Sequence, residues 1–198
     1  MNYDAPIDAL VAKGWAVIDN FFDANHCRDL KKSIIEDEKS GLFKKAGVGR
    51  GNSYQVDSTL RADYIRWIDD YDGNAAIDAA KKQIDELRVG VNRTLFLGLN
   101  DFEGHLTIYP EGNGYTKHVD RFQDNNARTL SFVCYLNEDW TNADGGTLKI
   151  YSRDDSEDLE AEVSPILGRA VVFLSADIYH AVSANNRPRY SLTGWFRR

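Results

Sequence analysis

The strongest chemical pattern in the sequence lies in its C-terminal half: His118-Val119-Asp120, then His180, then Arg189. His118 and Asp120 close a strand-like run, and because side chains alternate from face to face along a strand, the two project on the same side. One further donor brought near them completes a metal site. His180 follows the apolar run Ala170–Leu174 and a short turn, where a neighbouring strand could present it; His105 is the other candidate. Two imidazoles and one carboxylate on one face of an octahedron suit iron(II) and leave positions open for substrate and dioxygen. Structural zinc ordinarily takes four closed ligands, often thiolates.

Nine residues beyond His180, Arg189 opens the strand-like stretch Arg-Tyr-Ser-Leu-Thr-Gly-Trp-Phe. Alternation puts Arg189, Ser191, Thr193 and Trp195 on one face and Tyr190, Leu192 and Phe196 on the other. A guanidinium in such a strand is costly to bury alone, so it should meet a carboxylate. That partner is either a ligand's distal carboxylate, taken bidentately in a pocket beside the metal, or a protein carboxylate in a structural ion pair. Tyr135 shares a face with Thr129, Ser131 and Val133, so its phenol could donate to the same carboxylate, while Cys134 points away into the core.

These residues need a scaffold. Pro6–Lys13 reads as a short helix stopped by Gly14, followed by a strand over Trp15–Ile18. Asp23 caps a helix running toward Ser40, with Cys27, Leu30, Ile34 and Ile35 on its inner stripe. Ile77, Ala80, Ile84, Leu87, Val91 and Leu95 mark a long helix over Ala75–Leu99 that backs a sheet. Between these helices, the glycine-rich stretch Lys44–Asp57 has no periodicity and reads as a mobile loop. Strands follow near His105–Tyr109, Tyr115–Val119, Thr129–Leu136, Thr147–Tyr151, Leu159–Val163, Ala170–Leu174 and Arg189–Phe196, joined by Gly, Asn and Asp turns. Many short strands of this kind indicate a sandwich or barrel.

Composition narrows the function classes. At 198 residues the chain suits one domain with a real core. The net charge of −7, with basic residues scattered among acids, argues against a nucleic-acid partner. No apolar run approaches a bilayer-spanning length, and the start shows no targeting segment, so a cytoplasmic protein without a membrane partner is expected. The two cysteines, Cys27 and Cys134, read as buried thiols.

Five ordered stretches carry a family resemblance: residues 61–69 (Arg-Ala-Asp-Tyr-Ile-Arg-Trp-Ile-Asp), 109–120 (Tyr-Pro-Glu-Gly-Asn-Gly-Tyr-Thr-Lys-His-Val-Asp), 135–140 (Tyr-Leu-Asn-Glu-Asp-Trp), 145–151 (Gly-Gly-Thr-Leu-Lys-Ile-Tyr) and 189–195 (Arg-Tyr-Ser-Leu-Thr-Gly-Trp). Together, and over roughly Trp15 to the end, the chain resembles the 2-oxoglutarate/iron(II) dioxygenases of the prolyl 4-hydroxylase type, in particular the hypoxia-factor prolyl hydroxylase branch and its bacterial relatives. The resemblance implies an α+β fold, a double-stranded β-helix (jelly-roll) in one domain over residues 1–198, with helical support mainly in 5–100 and the β-helix core over about 102–198.

It also implies roles. Iron falls on His118, Asp120 and His180; 2-oxoglutarate falls on Arg189 and Tyr135, with Tyr109 and Thr193 beside it; Tyr115, Arg128 and Trp195 meet the substrate, and Leu148 and Val182 line the same pocket. Arg128 is implied to pair with Asp63, and the 44–57 segment to close over a peptide. The implied reaction is hydroxylation of prolyl residues at carbon 4 in a protein substrate, with dioxygen as second co-substrate, decarboxylation of 2-oxoglutarate to succinate, and ascorbate as an accessory. A translation elongation factor is the substrate that the bacterial relatives suggest. Two departures stand out: His105, where relatives carry an apolar residue, and Ala62, where they commonly show glycine. The residues alone leave other readings open: a hydroxylase of another protein residue or of a small molecule, a zinc hydrolase, or a non-catalytic module responsive to metal or 2-oxoglutarate.

Overall fold

Helix α1 (Asp4–Lys13) stops at Gly14, which takes a left-handed φ of 81° and donates its N–H to Leu10. The chain then enters strand β1 (Trp15–Ile18). Helix α2 (Ala24–Lys39) starts at Asp23, whose carboxylate accepts the His26 N–H at 2.9 Å, as the sequence predicts. The computed structural model describes residues 2–47, 61–120, 128–152 and 157–198. Within them β2 (Lys44–Lys45) and β3 (Tyr64–Trp67) pair antiparallel, so the expected loop begins as a short edge strand; its residues from 48 onward lie outside the described residues. Helix α3 (Ala75–Leu95) ends four residues earlier than its apolar period suggests. Phe96 turns into the left-handed region at φ 52°, and Leu99 is buried by the returning chain rather than by the helix.

The remaining strands are β4 (Asp101–Tyr109), β5 (Tyr115–His118), β6 (Arg128–Tyr135), β7 (Leu148–Tyr151), β8 (Leu159–Val163), β9 (Ala170–Leu174), β10 (His180–Val182) and β11 (Arg189–Arg197). They form a seven-stranded sheet in the order β1-β9-β6-β11-β4-β3-β2 and a four-stranded sheet in the order β5-β10-β7-β8. Every strand pair is antiparallel. The two sheets and their supporting helices make the jelly-roll core.

Alternation sorts the large sheet's side chains into two layers. Leu106 and Ile108, Leu130, Phe132 and Cys134, Ala170 and Val172, and Leu192 and Phe196 pack against Ile7, Leu30, Ile34, Ile84 and Leu87 of the helices. The opposite face, with Val133, Tyr135, Val171 and Phe173, packs with Leu148 and Ile150 of the small sheet. Both cysteines are free and buried, as expected. Among the described residues no helix is long and apolar enough to cross a membrane.

Candidate active site

β5 and β10 run antiparallel with His118 opposite His180, so two imidazoles leave adjacent strands of the small sheet side by side, ring centroids 4.2 Å apart. Asp120 lies just past β5, where its N–H donates to Ser175 O at 3.1 Å and ties it to the end of β9. Its Oδ1 is 3.5 Å from His118 Nε2 and its Oδ2 is 3.8 Å from His180 Nε2. One ligand atom from each residue lies within 4.8 Å of the others. The third member of this cluster is therefore His180, and His105 is not part of it.

Both rings are oriented through their other nitrogen. His118 Nδ1 donates to Thr116 O at 2.7 Å and His180 Nδ1 to Ile178 O at 3.1 Å, which fixes the tautomer and leaves each Nε2 lone pair facing Asp120. Ser131 Oγ donates to Asp120 Oδ2 at 2.7 Å and lies 2.8 Å from Ser175 Oγ, so the carboxylate is oriented as well. Burial works against the Asp120 charge, but His180, His118 and the Ser131 hydroxyl more than reverse it and hold its carboxyl well below the usual range. Burial, then His118, push His180 down to about 4, so its imidazole is neutral at physiological pH. A neutral His180 imidazole and an ionised Asp120 carboxylate are protonation states that suit a divalent metal.

Arg189 opens a second part of the same cavity. It is 2% exposed, yet among the described residues no carboxylate pairs with it, which removes the structural ion-pair reading. Its Nε and the hydroxyl of Tyr135 are both buried without a hydrogen-bond partner. The guanidinium carbon lies 4.9 Å from the Tyr135 ring centroid and 5.2 Å from that of Tyr109. Burial, opposed by Arg189, pushes the Tyr135 phenol up to about 12, so it stays a donor. Gly146 makes room for this arginine: its φ is 64°, and a Cβ there would stand 3.1 Å from Arg189 Cδ. Donors buried without acceptors are costly unless something anionic completes them.

Asp63 does not pair with Arg128; Arg61 grips it instead, Nε to Oδ1 at 2.7 Å and Nη2 to Oδ2 at 2.5 Å. Arg128 faces Glu103 at 3.7 Å and covers the Trp195 ring at 3.4 Å, so it reaches the cavity through that indole rather than by lining it. The physical reason is distance along the chain: an arginine two residues from the carboxylate reaches it with both nitrogens, which leaves Arg128 to a neighbouring acid. Tyr109, Tyr115, Leu148, Val182, Thr193 and Trp195 all line the cavity. Residues not anticipated there are Arg61, Asp63, Thr107, Ser131, Phe132, Val133 and Phe173. Ser131 had a visible signal, since alternation already placed it beside Tyr135. His105 also lines the cavity, its Nδ1 2.9 Å from Thr107 Oγ1 and its ring between Trp67 and Trp195.

A family model for the 2OG-Fe(II) oxygenase superfamily matches residues 104–197, the span holding every residue of the metal cluster and Arg189. A crystal structure of a Pseudomonas putida prolyl-4-hydroxylase is 39% identical, covers 100% of this chain and 99% of its own, and superposes with a TM-score of 0.87. This chain is a 2OG-Fe(II) oxygenase. A second oxygenase structure, a prolyl hydroxylase from Trichoplax adhaerens in complex with a hypoxia inducible factor oxygen degradation domain peptide fragment, is 26% identical over 97% of this chain and 87% of its own, with a TM-score of 0.85. The hypoxia-inducible factor prolyl hydroxylase of Caenorhabditis elegans is 32% identical over 92% of this oxygenase, which spans only 26% of that relative's length. The family uses iron(II), 2-oxoglutarate and dioxygen, and the residues present fit them. The His-Asp-His donors are preset for a divalent ion, and the uncompensated Arg189 with the unpartnered Tyr135 hydroxyl suits the far carboxylate of a keto diacid.

Proposed function

We propose that this oxygenase hydroxylates prolyl residues of a protein substrate at carbon 4, folding as one domain for the purpose. The observation that carries the reading is the sharing of one cavity by a His118, Asp120 and His180 cluster and a buried arginine with no carboxylate partner among the described residues. The Pseudomonas putida and Caenorhabditis elegans relatives, both prolyl hydroxylases, support the choice of residue, and the Trichoplax adhaerens peptide complex supports a protein substrate.

In this reading His118, Asp120 and His180 hold the iron, with Thr116 O, Ile178 O and the Ser131 hydroxyl keeping each donor aimed. Arg189 and Tyr135 fix the far carboxylate of 2-oxoglutarate, while Tyr109 and Thr193 wall its chain, so the keto acid end is directed at the metal without a search. With iron, 2-oxoglutarate and dioxygen bound, the cofactor set supplies oxidative decarboxylation to succinate and carbon dioxide and delivers one oxygen atom to a substrate carbon. Tyr115 and Trp195 give the target ring apolar walls, and Arg128 pins the far face of Trp195. Ascorbate acts as an accessory reductant and a translation elongation factor is the candidate substrate, both on the family resemblance.

The test has two stages. Anaerobic addition of 2-oxoglutarate to the iron(II)-loaded protein should give the weak visible metal-to-ligand charge-transfer band, and Arg189→Ala and His180→Ala should each lose it. Mass spectrometry of prolyl-containing peptides and of elongation factor should then show a gain of one oxygen on a proline. Absence of the band despite bound metal would overturn the reading; oxygen on another residue would keep the chemistry and change the target.

A further inference from the structure

The metal cluster straddles the two sheets. His118 and His180 stand on the small sheet, whereas Asp120 is held to the large one by Ser131 of β6 and by Ser175 just after β9. Its geometry therefore depends on what fixes the spacing between the sheets at this end. His180 is the better sheltered imidazole, its side chain 7% exposed and packed 4.5 Å from the Phe173 ring; the His118 side chain is 18% exposed.

His118 is supported by Tyr115, whose ring stacks on it at 3.6 Å with 23° between the planes. Residues three apart on a regular strand point to opposite faces, so this stack needs an irregularity. It has one: His118 pairs with His180 and Tyr115 with Val182, four residues of β5 against three of β10, a bulge that turns Tyr115 onto the face of His118. Tyr115 is itself clamped from the large-sheet side. Its backbone forms an isolated bridge with Arg61, and the Arg61 guanidinium covers its ring at 4.8 Å. Arg61 is immobilised by its two-pronged bond to Asp63, whose side chain is fully buried and whose carbonyl accepts the Ala46 N–H at 2.9 Å. β3 begins at the next residue and pairs with β4 of the large sheet.

We propose that Arg61 and Tyr115 are positioning residues for the metal ligand His118, a clamp running from Asp63 through Arg61 and the Tyr115 ring that sets the imidazole's tilt and the sheet spacing on which the metal site depends. The Thr116 hydrogen bond fixes the His118 tautomer but leaves the ring free to swing about that bond, and the Tyr115 face removes that swing. The proposal rests on the assignment of His118 to the metal.

The test measures metal binding directly. Mn(II) affinity is read from the free-ion paramagnetic resonance signal, site geometry from the visible spectrum of the Co(II)-loaded protein, and folding from the melting temperature. Tyr115→Leu should weaken Mn(II) binding about tenfold, the scale on which groups orienting a ligand act, and displace the Co(II) bands. Tyr115→Phe, which keeps the ring, should preserve both. Arg61→Gln should move affinity and spectrum in the same direction as Tyr115→Leu and add little in the double variant, because both act through one contact. The Tyr115 pair carries the test if Arg61→Gln fails to fold with Asp63 left buried alone. Wild-type Mn(II) affinity and an unchanged Co(II) spectrum in Tyr115→Leu, alongside lost binding in His118→Ala, overturn the clamp alone. Retained binding in His118→Ala overturns the metal assignment and the clamp with it.

Discussion

Replacing Arg189 by methionine should move two measurements in opposite directions. Arg189 is 2% exposed and has no carboxylate partner among the described residues, so in the ligand-free protein it is a buried cation without a described counter-charge. Replacing even a buried ion pair by apolar residues of similar volume is often neutral or stabilising by about 1 to 4 kcal/mol, and a buried cation without a partner has no pairing energy to lose. At this chain length each kcal/mol moves the melting temperature by roughly 2–4 °C. Arg189→Met without ligand should therefore melt at or above the wild-type temperature. With 2-oxoglutarate and Mn(II) present the order should reverse. Charge-assisted hydrogen bonds contribute roughly 1.5–3 kcal/mol each, so losing a bidentate pair should weaken 2-oxoglutarate binding by at least about a hundredfold. Ligand that stabilises the wild type by mass action should then barely shift the variant. Differential scanning fluorimetry with and without 2-oxoglutarate, backed by titration calorimetry, reads both arms. A variant that melts several degrees lower without ligand and still binds 2-oxoglutarate like the wild type would refute the reasoning, since Arg189 would then be holding the fold together through a protein partner.

Other outcomes follow from the same geometry. Ser131→Ala removes the donor to Asp120 Oδ2 and should cost about tenfold in Mn(II) affinity while leaving the melting temperature of the metal-free protein within a few degrees. Burial, then Arg61, push the His105 imidazole to about 3, below its unfolded value near 6.5. Its protonation therefore favours the unfolded chain as pH falls from about 6.5 toward 3, and has no effect above that window. His105→Leu should flatten the acid side of the stability profile by up to about 4 kcal/mol; an unchanged urea-denaturation profile between pH 7 and pH 4 would count against a buried neutral imidazole. Phe96 sits in the left-handed region at φ 52° and is 87% exposed, so Phe96→Gly should raise stability by about 1 kcal/mol, visible as a melting temperature a few degrees higher. A lower melting temperature would mean that the ring packs on something in solution.

Sequence alone determined the parts that repeat with a short period. Alternation sorted Arg189, Ser191, Thr193 and Trp195 from Tyr190, Leu192 and Phe196, and did the same for Ser131 and Tyr135 against Cys134, because a strand's side-chain direction is a local property of its backbone. The Asp23 cap and the Gly14 stop were legible for the same reason: the groups they satisfy lie within four residues. The family resemblance that the ordered motifs carry then marked His118, Asp120, His180, Arg189 and Tyr135.

What the sequence left open are relations between distant segments. By residue type and spacing alone His105 stood beside His180 as a partner for His118 and Asp120, and it is the β5–β10 register, which depends on cross-strand pairing, that brings His180 to them. Asp63 went to Arg61 rather than Arg128 because competition among charges is settled by three-dimensional reach. The strands at Tyr64–Trp67 and His180–Val182 are short and lack a clear alternation of their own, so only their pairing makes them strands. The stack of Tyr115 on His118 runs against alternation and exists because β5 carries one extra residue against β10. A bulge is decided by how two strands meet, and no window along one of them contains that information.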